Sequence, residues 1–363
     1  MEKNYKALIA LTIVLSVVGI LVLFSASVII AQKEHGDVFY FVKKQIVQGI
    51  ILGGFLGMIA YRLPLNFWRK LAPLLLFLNV ILIILCFIPP FKVTSAYAYR
   101  WLKIGSFIFQ PSEFLKITYF AFLAALLARY SPLEKKKIFG KPFLIFLCSL
   151  ALISGLMVIQ PSTGTVVIIG LASFAVYFVS GLSFRQFLFL LIIASLAFSY
   201  LIKVSPYRLE RIISYSKGED PLKSGYHIRQ ALIGIGSGGI LGIGFLKSVQ
   251  KFFYLPETHT DSVFAVMAEE FGFLGSIFLI VLYLSFLLAG YKIAARARNN
   301  FNKYFAIGLI SYIGFQAFIN MAVMTKIIPT TGVPLPFISY GSSSLVVTFI
   351  SVGILSKIAA IDS

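Results

Sequence analysis

Acidic residues are scarce in this chain. Thirteen Asp and Glu stand against 32 Lys and Arg in 363 residues. Only 12% of the residues are charged, about half the ~25% usual in soluble domains. There are two cysteines, Cys86 and Cys148, and both sit inside apolar runs. That excludes a disulfide framework and a Cys-based metal site, and leaves each thiol as a small hydrophobe. Three histidines at no metal-ligand spacing demand no metal, although a divalent cation stays open. No polar stretch is long enough for a soluble domain of ordinary size.

What is abundant is apolar. Hydrophobic residues make up 59% of the chain and mean hydropathy is +0.93. Runs of roughly 18 or more apolar residues recur, which is the mark of transmembrane helices. The expected fold class is an all-α polytopic membrane protein. Ten spans are predicted, over about 8–30, 45–60, 71–89, 112–129, 143–160, 164–180, 186–203, 263–290, 304–324 and 341–358. The N-terminal apolar stretch is too long for a signal h-region and reads as the first span.

The net charge of +19 would suggest nucleic acid on a soluble protein. Here the cations lie between apolar runs, so topology and anionic lipid account for them and no nucleic-acid partner is expected. Lys3, Lys6, Arg62, Arg69, Lys70, Arg129, Lys141, Arg185, Lys292, Arg296, Arg298 and Lys357 fall on one side. The positive-inside rule makes that side cytoplasmic, with both termini inside. The segment 204–262 then faces outward. It is the long loop before the eighth span, and such loops are functional or disordered. Its glycines and basic residues suggest mobility until a ligand binds.

Four of the thirteen acidic residues close this loop and open the eighth span: Glu257, Asp261, Glu269 and Glu270, with His259 among them. Carboxylates at a membrane edge are expensive and mark function. In an extended chain Glu257, His259 and Asp261 share a face. Asp261 reads equally as a general base for a sugar hydroxyl or as an N-cap of the eighth span. Glu113 and Lys116, at i and i+3, can pair on one face of the fourth span, either as a structural ion pair or lining a polar cavity. Arg100 and Trp101 flank the outward loop before it. Arg208 and Arg211 belong to a basic set in the long loop suited to clamping a diphosphate. The run GIGSGG at 234–239 matches a dinucleotide fingerprint formally. It lacks the strand and βαβ context that the motif needs, and a re-entrant loop with close backbone approach fits it better. Gly49, Gly53 and Gly57 form a repeated GxxxG, a helix-packing signal.

Taken in order, RWLKIG, QPSE with a following Lys, QPSTGT, GSGG, LPETHTD with AEE, and GVPLPFISYG resemble the SEDS family of RodA and FtsW. The resemblance runs along essentially the whole chain, as one SEDS-type domain over 1–363. KFFYLPETHTD and IPTTGVPLPFISYG look more like the division member than the elongation member. The resemblance implies a peptidoglycan glycosyltransferase that polymerises lipid II at the outer face of the bacterial cytoplasmic membrane. It implies a class B penicillin-binding protein as partner, with other divisome or elongasome membrane proteins. It matches the family's essential aspartate to Asp261, and Arg100, Trp101, Glu113, Lys116, Glu257 and His259 to its motif residues. Two positions depart from the pattern: Ser162 stands where the family turn carries Asp, and Ser342 where it carries a second Gly. A lipid II transporter, with Glu113 and Lys116 on the path, is the alternative activity. A scaffold that only recruits partners is the third reading, and it would leave Asp261 replaceable.

Overall fold

The computed structural model describes residues 2–88, 92–95, 98–105, 107–130, 133–134, 137, 140–181, 183–204, 224–252 and 254–361. Its elements are α1 (Glu2–His35), α2 (Tyr40–Arg62), α3 (Leu65–Leu85), α4 (Pro111–Arg129), α5 (Lys141–Ile159), α6 (Thr163–Gly181), α7 (Phe184–Val204), α8 (Ser224–Ser237), α9 (Val263–Arg296), α10 (Asn300–Met324) and α11 (Ser342–Ile361). Nine helices among the described residues are long and apolar enough to cross a membrane. Helix α7 has a shorter qualifying stretch, Phe184–Ala197. The protein is therefore a multi-pass membrane protein.

Burial grades the helices from centre to rim. In α10, 78% of the apolar window is buried, against 17% in α3. Helices α4, α10 and α11 form the middle of the bundle. Large apolar side chains such as Phe55, Phe77 and Leu288 point outward and are more than half exposed, the surface a bilayer would cover. The GxxxG glycines of α2 meet α11. A Cβ on Gly353 would lie 2.1 Å from the Gly57 carbonyl oxygen, and one on Gly57 would lie 2.7 Å from that of Phe349. Only small residues allow that backbone contact. Helix α2 also carries a π-helical turn over Gln45–Ile51, a distortion common at functional sites.

The segment between α3 and α4 holds a three-stranded antiparallel meander: β1 (Lys92–Ser95), β2 (Ala98–Ile104) and β3 (Phe107–Phe109). Pro111 stands in the first turn of α4, where its missing N–H costs nothing.

The 204–262 segment is not one long loop. Residues 205–223 lie outside the described set, and 224–237 form helix α8. Residues 238–252 and 254–262 fold back as turns against α9. Their glycines serve contact more than mobility. Helix α9 is broken at Gly272, which adopts φ 66° and ψ −161°. The loop backbone fills the break. Phe273 and Leu274 N–H donate to the carbonyls of Gly239 and Ile240 at 2.9 and 3.1 Å. Ile243 and Gly244 N–H donate to those of Glu269 and Glu270 at 3.1 and 3.0 Å. A Cβ on Gly242 would lie 2.1 Å from the Glu270 carbonyl oxygen, so no side chain fits there.

Candidate functional site

One end of the bundle gathers the turn at 255–262, the QPS turn at 160–162 and the segment 329–341. Side chains from several elements tie them together. Thr258 Oγ1 donates to the Ala26 carbonyl of α1 at 2.9 Å. Asn320 of α10 donates from Nδ2 to the carbonyls of Asp261 and Val333, each at 2.8 Å. Ser339 Oγ donates to the Thr260 carbonyl at 2.5 Å, and Tyr340 N–H to that of His259 at 2.8 Å. Gln45, in the π-helical turn, donates to the Ser339 carbonyl at 3.0 Å and accepts from Gly341 N–H at 3.2 Å. Thus the backbone carbonyls of His259, Thr260 and Asp261 are each engaged by a different residue. The turn that presents the Asp261 carboxylate is fixed from several sides.

Asp261 itself is part-exposed. A Cβ on Gly332, which has φ 67°, would lie 3.4 Å from Asp261 Oδ2. Glycine satisfies that left-handed backbone beside the carboxylate. The N-cap of α9 is Ser262, whose side chain makes no capping bond. Asp261 precedes it, so the capping reading does not describe its position. Glu257 is exposed, at φ 51°, and accepts from Thr260 Oγ1 at 2.6 Å. Its carbonyl takes the N–H groups of Thr260 and Ser262 at 3.2 and 3.1 Å. His259 packs on Phe41 at 4.5 Å and on Tyr340 at 5.9 Å between ring centroids. Burial holds its imidazole below the ordinary pKa, against the opposing pull of Glu257 and Glu34. Burial thus favours the neutral form.

Glu113 and Lys116 do pair, at 2.8 Å, with side chains 6% and 2% exposed. Lys116 Nζ also donates to Gln316 Oε1 at 2.6 Å. Gln316 Nε2 in turn reaches the Pro334 carbonyl at 3.0 Å and Ser344 Oγ at 3.3 Å. The pair is the root of a network that ends on the 329–341 segment. Arg100 donates through Nε to the Gln160 carbonyl at 3.2 Å and through Nη2 to that of Pro161. It braces the QPS turn. Ser162, in the family's Asp position, bonds Thr165 Oγ1 at 2.8 Å instead. Trp101 lies on β2 opposite Val93. Arg208 and Arg211 lie outside the described residues.

Glu269 and Glu270 do not join the Asp261 cluster. Glu269 accepts from the Ser248 hydroxyl and from Val249 and Gln250 N–H, the last two at 3.0 and 3.4 Å. Glu270 Oε1 takes Ser25 Oγ at 2.5 Å, Lys251 Nζ at 3.0 Å and Ser248 N–H at 3.3 Å. The Lys251–Glu270 pair is 2% and 1% exposed. Their work is to hold the re-entrant loop against α1 and α9, because carboxylates are the acceptors that three or four donors crowded at one buried spot require.

Sequence reasoning did not pick out Gln316, Asn320 or Gln45, and it counted Lys251 only among the basic residues of the long loop, whereas here it is paired with Glu270. Gln316 and Asn320 are four residues apart on one face of an apolar helix. Isolated polar side chains in such a span are themselves a signal of a polar interior. Among the described residues no group of three or more His, Cys, Asp or Glu side chains is placed to hold a metal.

Residues 5–363 match the FtsW/RodA/SpoVE family, described as cell cycle proteins. A probable peptidoglycan glycosyltransferase FtsW of Geobacter metallireducens is 34% identical over 359 residues, covering 99% of this chain and 95% of its own. Stage V sporulation protein E of Bacillus subtilis is 36% identical over 360 residues, covering 97% and 96%. A solved chain from a peptidoglycan synthase complex that coordinates polymerization and crosslinking superposes with a TM-score of 0.80 at 26% identity. The overlap covers 98% of this chain and 97% of that one.

Proposed function

The chain belongs to the FtsW/RodA/SpoVE family, and from that premise we propose that it polymerises lipid II, as a peptidoglycan glycosyltransferase with Asp261 as its base. The acceptor's sugar 4-hydroxyl gives its proton to the Asp261 carboxylate and its oxygen attacks the donor's anomeric carbon. The bond to the polyprenyl diphosphate breaks, and the diphosphate leaves with the electron pair. Attack opposite the leaving group inverts that carbon. Cations stabilise the leaving charge best when they are held in place beforehand; Arg208 and Arg211 are the candidates for this role.

One observation carries the assignment of the base. The backbone around Asp261 is held from several sides, while its carboxylate faces a glycine. Fixing a reacting group in advance is worth several kcal/mol of barrier. A capping aspartate needs no such support from α10 and the 329–341 segment. The transporter reading asks Glu113 and Lys116 to line a path, yet they are closed on each other and on Gln316.

On this reading the turn lies at the outer face of the bacterial cytoplasmic membrane, both termini are cytoplasmic, and the role is in division. A class B penicillin-binding protein supplies the crosslinking. Purified protein in vesicles, given lipid II with and without the cognate penicillin-binding protein, tests all of this. Glycan chains support the polymerase; relocation of lipid II without chains supports the transporter. The same assay with a chelator reads any need for a divalent cation.

A further inference from the structure

Helix α8 meets the Asp261 turn through His227. His227, the fourth residue of the helix, places Nε2 2.5 Å from Ser262 Oγ. Ser262 is the immediate neighbour of Asp261 and is itself buried. Its hydroxyl has one proton, and that proton has a fixed destination. Ser262 Oγ lies 2.8 Å from the Pro256 carbonyl, which can only accept. The hydroxyl therefore donates to Pro256 and accepts from His227, so Nε2 carries a hydrogen. Both the imidazolium and the Nε2–H neutral tautomer meet that condition; the Nδ1–H tautomer does not.

The consequence for the turn is specific. The Ser262 hydroxyl closes it from Pro256 to Ser262, and Ser262 N–H bonds the Glu257 carbonyl at 3.1 Å. The carbonyls of residues 259–261 are held by the 329–341 segment and α10. The far end of the turn is held by His227. Helix α8 is also where the chain returns from the basic stretch at 205–223, which contains Arg208 and Arg211. One hydrogen bond thus separates the helix that follows that stretch from the residue beside the carboxylate.

We infer that His227 is a positioning residue for the polymerisation step: its Nε2–H, donated to Ser262, fixes the turn that aims Asp261. This rests on the glycosyltransferase reading above. His227 does not touch substrate, and its effect is on turnover rather than on binding.

The test uses the full chain in vesicles with lipid II. His227→Leu removes the donor at similar size and should lower kcat about tenfold, equivalent to ~1.4 kcal/mol, with KM within about twofold. His227→Gln offers an amide N–H at similar reach and should stay within about threefold of the native kcat. Ser262→Ala should lower kcat like His227→Leu, and the double variant should be no worse than either single one. Thermal midpoints of the variants, measured in detergent, separate a turnover effect from loss of fold. If His227→Leu does not insert, His227→Gln and Ser262→Ala still carry the comparison. An unchanged kcat in His227→Leu or Ser262→Ala overturns the inference. So does an equal loss in His227→Gln, or strictly additive losses in the double variant. A readout independent of activity is the ¹⁵N spectrum of the histidines. His227 should show a protonated Nε2 that loses its hydrogen-bonded shift in Ser262→Ala. A native protein that makes no glycan sinks the functional reading instead, and the spectrum then decides the His227–Ser262 bond by itself.

Discussion

Neutralising either member of the Glu113–Lys116 pair should destabilise the protein more than neutralising both. In Glu113→Gln the Lys116 ammonium stays buried and keeps only uncharged acceptors, among them the Gln316 amide oxygen at 2.6 Å. In Lys116→Met the Glu113 carboxylate is left buried without its cation, and Gln316 Oε1 loses its donor. Breaking a buried pair from one side costs about 3–5 kcal/mol, because an uncompensated charge remains. The double variant carries no buried charge. Its main debt is the unpaired Gln316 oxygen, worth about 1–3 kcal/mol. Additive behaviour would sum the single losses to about 6–10 kcal/mol, so the coupling should be several kcal/mol and favour the double variant. Reversible unfolding in mixed micelles with increasing SDS fraction, run on all four proteins, measures it. A double variant that loses the sum of the two single losses would refute the argument that the pair compensates a shared desolvation cost.

Three further outcomes are expected. Asp261→Asn keeps size and removes the base, so polymerisation of lipid II should fall by 10³-fold or more, on the order of the loss of a catalytic group, with insertion unchanged; near-native glycan synthesis would return Asp261 to a structural role. His259 has a pKa depressed by burial, so the unfolded chain takes up a proton first as pH falls below about 6.5. Its contribution to stability is present above that pH and is lost on acidification toward the lowered folded value; His259→Phe, which keeps the stack on Phe41, should show a smaller drop in thermal midpoint between pH 7.5 and 5.5, and an equal drop would contradict the burial argument. Ser224→Cys, at the start of α8, should react with a membrane-impermeant thiol reagent in intact cells, whereas labelling only after permeabilisation would put the Asp261 end of the bundle on the cytoplasmic side.

The helices were legible because lipid demands long apolar runs, and their order followed from them. Asp261, Glu113 and Lys116 were legible because charge is so rare here that each one stands out. The pairing of Glu113 with Lys116 followed from helical spacing alone. What the sequence concealed depends on contacts between distant segments. Asn320 lies 59 residues from the carbonyl it holds, and Gln45 lies 294 residues from Ser339. Glu269 and Glu270 misled for the opposite reason. They are close to Asp261 along the chain, yet their acceptors are turned toward Ser25, Ser248 and Lys251. The glycines at 234–244 signal flexibility by composition, but two of them, Gly238 and Gly242, pack so tightly against α9 that no side chain fits. Composition reports what a backbone is allowed to do; only packing reports what it is required to do.

The break in α9 has a bearing on how the protein is made. The loop residues Gly239 and Ile240 leave the ribosome before Phe273 and Leu274, whose N–H groups they later accept. Until α9 arrives, those carbonyls and the Ser248 and Lys251 donors have no partners. Bare polar backbone is not tolerated in lipid, so the loop must wait in water until then. The end of α9 next to Asp261, from Val263 to Gly272, is bound by the same rule, because its ladder is incomplete without the loop. Docking is therefore a late event in biogenesis, after both segments have been threaded, and it delivers Asp261 to its place in the same step. A chain stalled just before that event would be fully inserted, correctly oriented and inactive.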